Sequence, residues 1–352
     1  MAIAGQAFVI GVLETPVGPV PQVATALTGR DRWGALRVRL GFKRMQYTVE
    51  PGLYAVGAPQ EDSPVLVTAN YKLSFDHLRA ALTWQDAWIL VLDTNGINVW
   101  CAAGKGTFGT AALCAQVAAN RLVQLVRHRR LVVPQLGAPG IAAHAVKQQS
   151  GFSVVYGPVM ARHLPEFLAC GMQATQAMRR KTFSLSERAV LVPVEFVIAM
   201  KWALPLSVLL YGASGLFGPA SFWENVRAHG GGWTMAGLWS GVVAGTVLTP
   251  LLLPVLPGRA FSLKGGAAGL MAALVFLSVF FSRSGASGNT LTALAWLLLI
   301  PAIASFLGME FTGASTYTSL SGVKKEMRLA VPLQVAAVLC GLLLLVWARR
   351  LQ

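Results

Sequence analysis

The sequence predicts an α/β domain followed by an all-α transmembrane domain of about five helices. Strand and helix patterns alternate between residues 51 and 170, which is typical of a parallel sheet covered by helices on both faces. Five long apolar runs follow. The 352-residue chain is 55% hydrophobic and only 12% charged, whereas soluble domains have about 25% charged residues. Because most charged residues precede residue 190, we expect a soluble half joined to a membrane half.

Residues 1–50 are weakly patterned and are treated as an N-terminal extension of an α/β domain over 51–185. The predicted strands of this domain are 53–56, 64–68, 88–93, 131–134 and 152–156. The predicted helices are 74–82 with Ser74 as N-cap, 110–127, 142–149 and 159–169. Ligands of parallel sheets bind beyond the carboxyl ends of the strands. The loops at those ends, 68–71, 95–98, 135–140 and 157–158, are therefore candidate ligand loops, although tight connections alone would also explain their Gly and Pro residues.

Residues 186–352 are interpreted as a transmembrane domain. A helix needs roughly 20 residues to cross a bilayer, and the apolar runs predict spans near 196–217, 233–256, 263–281, 291–311 and 329–347. Glu195 and Lys201 favour an interfacial start for the first span, because a charge at the bilayer centre costs on the order of 2.5–3.5 kcal/mol.

The distribution of basic residues between the spans predicts the topology. By the positive-inside rule, a multi-pass protein of the cytoplasmic membrane with its α/β domain in the cytoplasm is expected. The polar loop 312–319 would then face that domain, either solvated or in contact with a ligand. The N-terminus lacks the basic start of a signal peptide. A nucleic-acid partner is not expected despite the net charge of +15, because no nucleic-acid-binding signature occurs and many basic residues flank the apolar runs.

The segment 98–105, with the sequence NVWCAAGK, follows the predicted strand 88–93 and places one thiol, Cys101, among small side chains. The four cysteines form no CxxC pair, so neither a zinc site nor a disulfide framework is indicated. No histidine forms a recognisable nucleophile–base pairing with Cys101. A metal already held by a macrocycle needs only one axial protein ligand, which this segment supplies. A buried structural cysteine is the alternative.

The octamer closely resembles the cap-helix signature of the mercury-methylation corrinoid protein family (HgcA type). The loops at 68–71, 137–140 and 157–158 also resemble that family and, more distantly, the corrinoid-binding large subunit of the corrinoid iron–sulfur protein. The resemblance covers the chain beyond about residue 50, including the five-span tail. It implies a Rossmann-like corrinoid-binding domain holding a cobalamin-type corrinoid, with Cys101 as the lower axial ligand of cobalt and the catalytic residue.

The resemblance also implies which residues contact the corrinoid. They are Thr68, Asn70, Asn98, Val99, Trp100, Ala102, Ala103, Gly104, Lys105, Gly137, Gly140 and Gly157. We expect the small residues Ala102, Ala103 and Gly104 to form a surface against which a flat ligand can lie. For Trp100 core packing is an equal alternative, and for Lys105 a solvated helix end.

The activity implied by the resemblance is corrinoid-dependent methyl transfer. A methyl group would pass from a methyl-tetrahydropterin-type donor, or a methyl donor protein, via Co(III)–CH3 to Hg(II), giving methylmercury. A ferredoxin-like protein with two 4Fe–4S clusters (HgcB type) would supply electrons, because this chain has no ferredoxin cysteine run. Two alternatives stay open: a non-catalytic membrane-anchored corrinoid carrier, and a transporter with a cytoplasmic ligand-binding domain. The absence of a Gly-x4-Gly-Lys-Ser/Thr loop disfavours a nucleotide-driven transporter.

Overall fold

The chain divides into two compact units, Met1–Thr182 and Phe183–Gln352. The structure, a computed structural model, describes residues 6–216, 221–228, 231–284, 290–311 and 320–350. The division lies three residues before the boundary at 185/186 expected from the sequence. An α/β unit followed by a helical unit is the fold class that the sequence predicts, and it is confirmed.

Unit 1 is built on a seven-stranded sheet. Its strands are β1 Val9–Thr15, β2 Gly18–Val23, β3 Gly52–Val56, β4 Val65–Ala69, β5 Ala87–Leu92, β6 Arg130–Val133 and β7 Ser153–Tyr156. Their spatial order is β1-β2-β3-β5-β4-β6-β7. Strands β5, β4, β6 and β7 are parallel, so their carboxyl ends lie at one edge of the sheet.

The sheet is mixed, and the expectation of a wholly parallel sheet is wrong. Strand β3 pairs with β5 in the antiparallel direction. The connection from β3 to β4 consists of residues 57–64 alone, whereas parallel strands need a crossover of a dozen or more residues. The short connection therefore makes β3 run opposite to β4. Strand β3 is added to the sheet as the neighbour of β5.

Residues 1–50 also contribute to the sheet. Strands β1 and β2 form an antiparallel hairpin, and β2 pairs with β3 through Gln22 and Ala55. Pro19 and Pro21 lie within β2. Proline cannot donate to a strand ladder and usually argues against a strand, which is why the sequence pattern of this segment is weak. The segment is nevertheless part of the unit 1 fold.

Helices cover both faces of the sheet. The helices of unit 1 are α1 Gly29–Arg39, α2 Lys72–Ala81, α3 Val99–Lys105, α4 Thr110–Ala119, α5 Leu122–Leu125, α6 Ala143–Ser150 and α7 Leu164–Ala169. Short 3-10 segments lie at Arg44–Gln46, Gln135–Gly140 and Ala161–His163. Successive residues of β5 point to opposite cores: Leu90 packs with Phe108 on one face of the sheet and Ile89 with Phe75 on the other. Burial of both faces explains why β5 is a continuous apolar run and why β4 is interrupted only by the buried Thr68.

Two helix boundaries differ from the sequence expectation. Helix α2 begins two residues before Ser74, with Tyr71 at the N-cap position and no side-chain cap. The expected long helix over 110–127 is divided into α4 and α5 because Arg121 has a φ of 47°. That left-handed backbone conformation does not continue a right-handed helix.

Unit 2 is helical. Among the residues that the structure describes, five helices of this unit are long and apolar enough to cross a membrane by length and composition, namely Leu185–Ala213, Gly231–Leu252, Phe261–Arg283, Thr290–Glu310 and Gly322–Ala348. Small residues bring neighbouring helices close: a Cβ on Gly269 would lie 2.6 Å from the Cα of Pro301, which is the packing that glycine permits between apolar helices. The polar loop 312–319 lies outside the described residues.

Candidate functional site

Helix α3 contains Cys101 and lies beyond the carboxyl end of β5. The side-chain oxygen of Asn98 accepts a hydrogen bond from the backbone N–H of Cys101 at 2.9 Å and so caps the first turn. Gly106 ends the helix with a φ of 85°, a conformation that favours glycine. Seven residues rarely form a stable helix alone, and these two caps define where this one starts and stops.

The two sides of α3 have different surroundings. Val99, Ala102 and Ala103 are buried in the unit 1 core. Cys101 is half-buried, and Gly104, three residues further on, is exposed. A Cβ on Gly104 would meet no atom within 4 Å. The thiol and the open glycine therefore share the outward side of the helix, because residues three apart lie on the same side.

This arrangement differs from the expected surface of three small residues. Ala102 and Ala103 are 0% and 6% exposed, and they allow α3 to pack closely on the turn at 135–140. Direct contact of these two alanines with a cofactor stays a prediction, as does contact by the buried Val99. Trp100 is half-buried and Lys105 exposed, and their expected contacts also stay predictions.

The glycines of the candidate loops have packing functions. A Cβ on Gly140 would lie 3.0 Å from the Cα of Ala103, and one on Gly137 would lie 3.3 Å from Cγ1 of Val99. A Cβ on Gly157 would lie 3.0 Å from Cγ1 of Val132. Gly137 and Gly140 thus permit the close approach of α3. Their contact with a corrinoid stays a prediction, as does that of Gly157.

Asn70, directly after β4, organises the loop between β5 and α3. Its side-chain oxygen accepts hydrogen bonds from the backbone N–H of Thr94 at 3.0 Å, the hydroxyl of Thr94 at 2.8 Å and the backbone N–H of Gly96 at 3.1 Å. Its amide donates to a carboxylate oxygen of Asp93 at 3.0 Å. Sequence reasoning expected Asn70 and Thr68 to contact the cofactor. Thr68 is buried in β4, and both contacts stay predictions.

Sequence reasoning missed Asp93 and Thr94, and it included Gly96 only as part of the candidate ligand loop 95–98. Gly96 has a φ of 71°, and a Cβ there would lie 2.5 Å from the carbonyl oxygen of Met45 and 2.9 Å from Cγ2 of Thr48. The N-terminal segment therefore packs directly on the loop that leads into α3. The Asn-Gly pair at 95–96 indicates a tight turn, but no sequence signal identifies its distant partner.

A buried cluster of salt bridges connects α1 to α2. Lys72 contacts Asp31 at 2.7 Å and Asp76 at 2.6 Å, and Arg79 contacts the same two carboxylates at 3.0 and 2.8 Å. Burial alone would raise the pKa of Asp31, but the hydrogen bonds from Lys72 and Thr28 outweigh it and hold this pKa well below its usual range. The cluster therefore bonds the N-terminal segment to helix α2.

The donor set near α3 is a single soft thiol. Within the ranges that the structure describes, no three or more His, Cys, Asp or Glu side chains are grouped so that they could hold a metal ion. Cys114 is also half-buried, and burial raises the pKa of its thiol. Cys101, beside the open position at Gly104, fits a metal complex that brings its other ligands with it and takes one bond from the protein.

Unit 1 is thus an α/β domain that presents one outward thiol on a capped helix at the carboxyl edge of its parallel strands. Residues 41–168 match the family model of the CO dehydrogenase/acetyl-CoA synthase delta subunit (CdhD), which covers just over a third of the chain.

Curated relatives agree with this match. The chain is 37% identical over 122 residues to the acetyl-CoA decarbonylase/synthase complex subunit gamma of Methanopyrus kandleri, covering 34% of this chain and 26% of the relative. It is 26% identical over 180 residues to the corrinoid/iron–sulfur protein large subunit of Moorella thermoacetica, covering 46% of this chain and 40% of the relative. The chain therefore spans well under half of these relatives. The matches support a corrinoid-binding family, without selecting the mercury-methylation type.

Proposed function

We propose that this chain is a membrane-anchored, corrinoid-dependent methyltransferase that moves a methyl group from a methyl-tetrahydropterin-type donor to Hg(II), giving methylmercury. The observation that carries the proposal is the half-buried thiol of Cys101 on the outward side of α3, next to the open position at Gly104. The family matches support the corrinoid, and the octamer at 98–105 motivates Hg(II) as the acceptor.

The proposed cofactor site is the outward side of α3. The thiolate of Cys101 would hold the cobalt, with Asn98, Trp100, Gly104 and Lys105 at or beside the corrinoid. Bound there, a cobalamin-type corrinoid would supply a cobalt centre that accepts and releases a methyl group. A thiolate is a soft ligand and a strong electron donor to a metal. Strong donation from one side favours delivery of a methyl group to a soft electrophile, which supports Hg(II) as the substrate.

The surrounding residues would hold the thiol in place. Asn98 and Gly106 define the ends of α3, and Asn70 orders the loop before it. Close packing against Gly140 holds α3 against the turn at 135–140. These contacts within the protein would position Cys101 for the cofactor.

A separate protein would supply the electrons, and unit 2 would anchor the chain in the membrane. The chain has four cysteines, and the proposed electron donor is a separate ferredoxin-like protein with two 4Fe–4S clusters. The five apolar helices of unit 2 would hold the protein in the cytoplasmic membrane as a multi-pass protein, with unit 1 in the cytoplasm.

Cobalt content and the visible spectrum of the purified full-length chain test the cofactor site. We expect cobalt and a corrinoid spectrum in wild type, and a Cys101→Ala protein whose spectrum shows loss of thiolate ligation. Cys170→Ala is the matched control because Cys170 is exposed and lies away from α3 in sequence. A cobalt-free wild type, or a Cys101→Ala spectrum identical to that of wild type, would refute the site.

Methylmercury formation tests the reaction. The full-length chain is assayed with the reduced ferredoxin-like partner, a methyl-tetrahydropterin and Hg(II). We expect product with wild type and Cys170→Ala and none with Cys101→Ala. A cobalt-loaded wild type that accepts methyl groups but forms no methylmercury would support the carrier alternative instead.

A further inference from the structure

Helix α1 and the turn after it expose large apolar side chains. Trp33 is 61% exposed, Leu36 45%, Phe42 56% and Met45 55%. Trp33 and Leu36 are three residues apart and share one side of α1, whereas Asp31 and Val38 are its buried residues. Isolated exposed apolar residues are common, but several large ones close together in the chain indicate a contact surface.

The same segment is strongly basic. Between residues 27 and 49 the exposed basic residues are Arg30, Arg32, Arg37, Lys43 and Arg44, with Arg39 partly buried. The one acidic residue in that stretch, Asp31, is buried and bonded to Thr28, Lys72 and Arg79. Its charge is compensated inside the protein. The segment is therefore strongly positive on its outward side, and the nearest exposed acidic residue along the chain is Glu50, six residues after Arg44.

The segment is a fixed part of unit 1. A capping box between Thr28 and Asp31 begins α1. A Cβ on Gly34 would lie 2.8 Å from the ring of Tyr47, so the turn after α1 packs back on the helix. The backbone N–H of Phe42 donates to the carbonyl oxygen of Arg37 at 3.0 Å, which keeps Phe42 beside the last helical turn. These contacts preform the surface.

We infer that this surface, defined by Trp33, Leu36, Phe42 and Met45 with Arg30, Arg37, Lys43 and Arg44, docks on an anionic lipid surface. Interfacial segments place Trp, Phe and Leu at the headgroup–acyl boundary, while Lys and Arg pair with anionic headgroups. An acidic protein partner would match the charge alone. The apolar side chains and the five apolar helices in the same chain favour lipid. The inference rests on the proposed membrane location and is independent of the corrinoid.

Hydrogen–deuterium exchange of the full-length chain in lipid nanodiscs tests the inference. One set of discs contains phosphatidylcholine alone, and the other contains phosphatidylcholine mixed with phosphatidylglycerol. We expect backbone amides of residues 30–45 to exchange several-fold more slowly in the phosphatidylglycerol discs. Peptides from β4 and α6 serve as internal references and should exchange equally in both.

Two charge-matched double variants sharpen the test. Arg37→Gln with Lys43→Gln should abolish the lipid-dependent protection, whereas Arg130→Gln with Lys147→Gln removes two exposed charges elsewhere and should preserve it. Equal exchange in both lipids would overturn the inference. So would protection that requires an added acidic protein, since the partner would then be that protein. Cobalt content of both variants in detergent should equal that of wild type, which separates this test from that of the proposed function.

Discussion

The side-chain oxygen of Asn70 accepts a hydrogen bond from the backbone N–H of Thr94 at 3.0 Å. This bond joins the end of β4 to the loop that follows β5, two segments that are distant in sequence and adjacent at the sheet edge. The same oxygen also accepts from Gly96. The position of α3, and hence of Cys101, therefore depends on a residue outside the octamer.

Replacing Asn70 tests this dependence. Asn70→Ala leaves buried backbone donors of Thr94 and Gly96 without their acceptor, and each such loss costs about 1–3 kcal/mol. We expect a lower melting temperature of unit 1 and a lower cobalt content. Thr83→Ala, which removes an exposed hydroxyl bonded to Ala80, is the control. Wild-type stability and cobalt content in Asn70→Ala would show that the loop is held by other contacts.

Asn98 is expected to be replaceable only by another capping residue. Asn98→Ala removes the acceptor of the Cys101 N–H, and loss of an N-cap costs about 1 kcal/mol. Asn98→Ser retains a capping oxygen and should retain most of the stability. Hydrogen exchange across residues 99–105 measures the effect directly. If Asn98→Ala exchanges as slowly as wild type in this segment, the cap is not what starts α3.

Gly104→Ala separates ligand access from stability. The Cβ enters open space, and alanine is a better helix residue than glycine by up to about 1 kcal/mol. The variant should therefore be at least as stable as wild type, yet bind less cobalt if a corrin ring lies against this position. Thermal unfolding and metal analysis are measured on the same preparation. Undiminished cobalt binding would place the ring elsewhere.

Gly140→Ala should lower the stability of unit 1, in contrast to Gly104→Ala. Its Cβ would clash with the carbonyl oxygen of Phe108 and would lie 3.0 Å from the Cα of Ala103, so residues 103–108 or the turn at 135–140 have to shift. Overpacking of this kind costs about 1–3 kcal/mol. We expect a clear loss of stability, measured by thermal unfolding. Unchanged stability would mean that the contact between α3 and this turn is loose.

Asp31 should contribute stability that depends on pH. Its pKa is lowered in the folded protein, so its contribution is fully present above its unfolded pKa of about 4 and is lost as the pH falls towards the folded value. The stability difference between wild type and Asp31→Asn should therefore be largest near neutral pH and shrink in strong acid. Unfolding curves over a pH series measure it. A difference that stays constant below pH of about 4 would contradict the ionised cluster.

Local patterns in the sequence determined a large part of this protein. Continuous apolar runs predicted the buried strands β4 and β5, because a strand covered on both faces has no polar side. Five apolar runs predicted the five long helices of unit 2. The octamer singled out Cys101 because a lone thiol among small residues has few chemical uses. Each of these signals is carried by residues that are close together in the sequence.

The tertiary structure alone decided the rest. The antiparallel direction of β3, the recruitment of β1 and β2 into the sheet, the burial of Ala102 and Ala103, and the bonds of Asn70 all depend on which distant segments meet. Arg79 is fully buried because its charge is matched by Asp31 from another helix and by Asp76 from its own helix. Periodicity reports whether a side chain faces the core, but the partner it finds there is set by the packing of the whole domain.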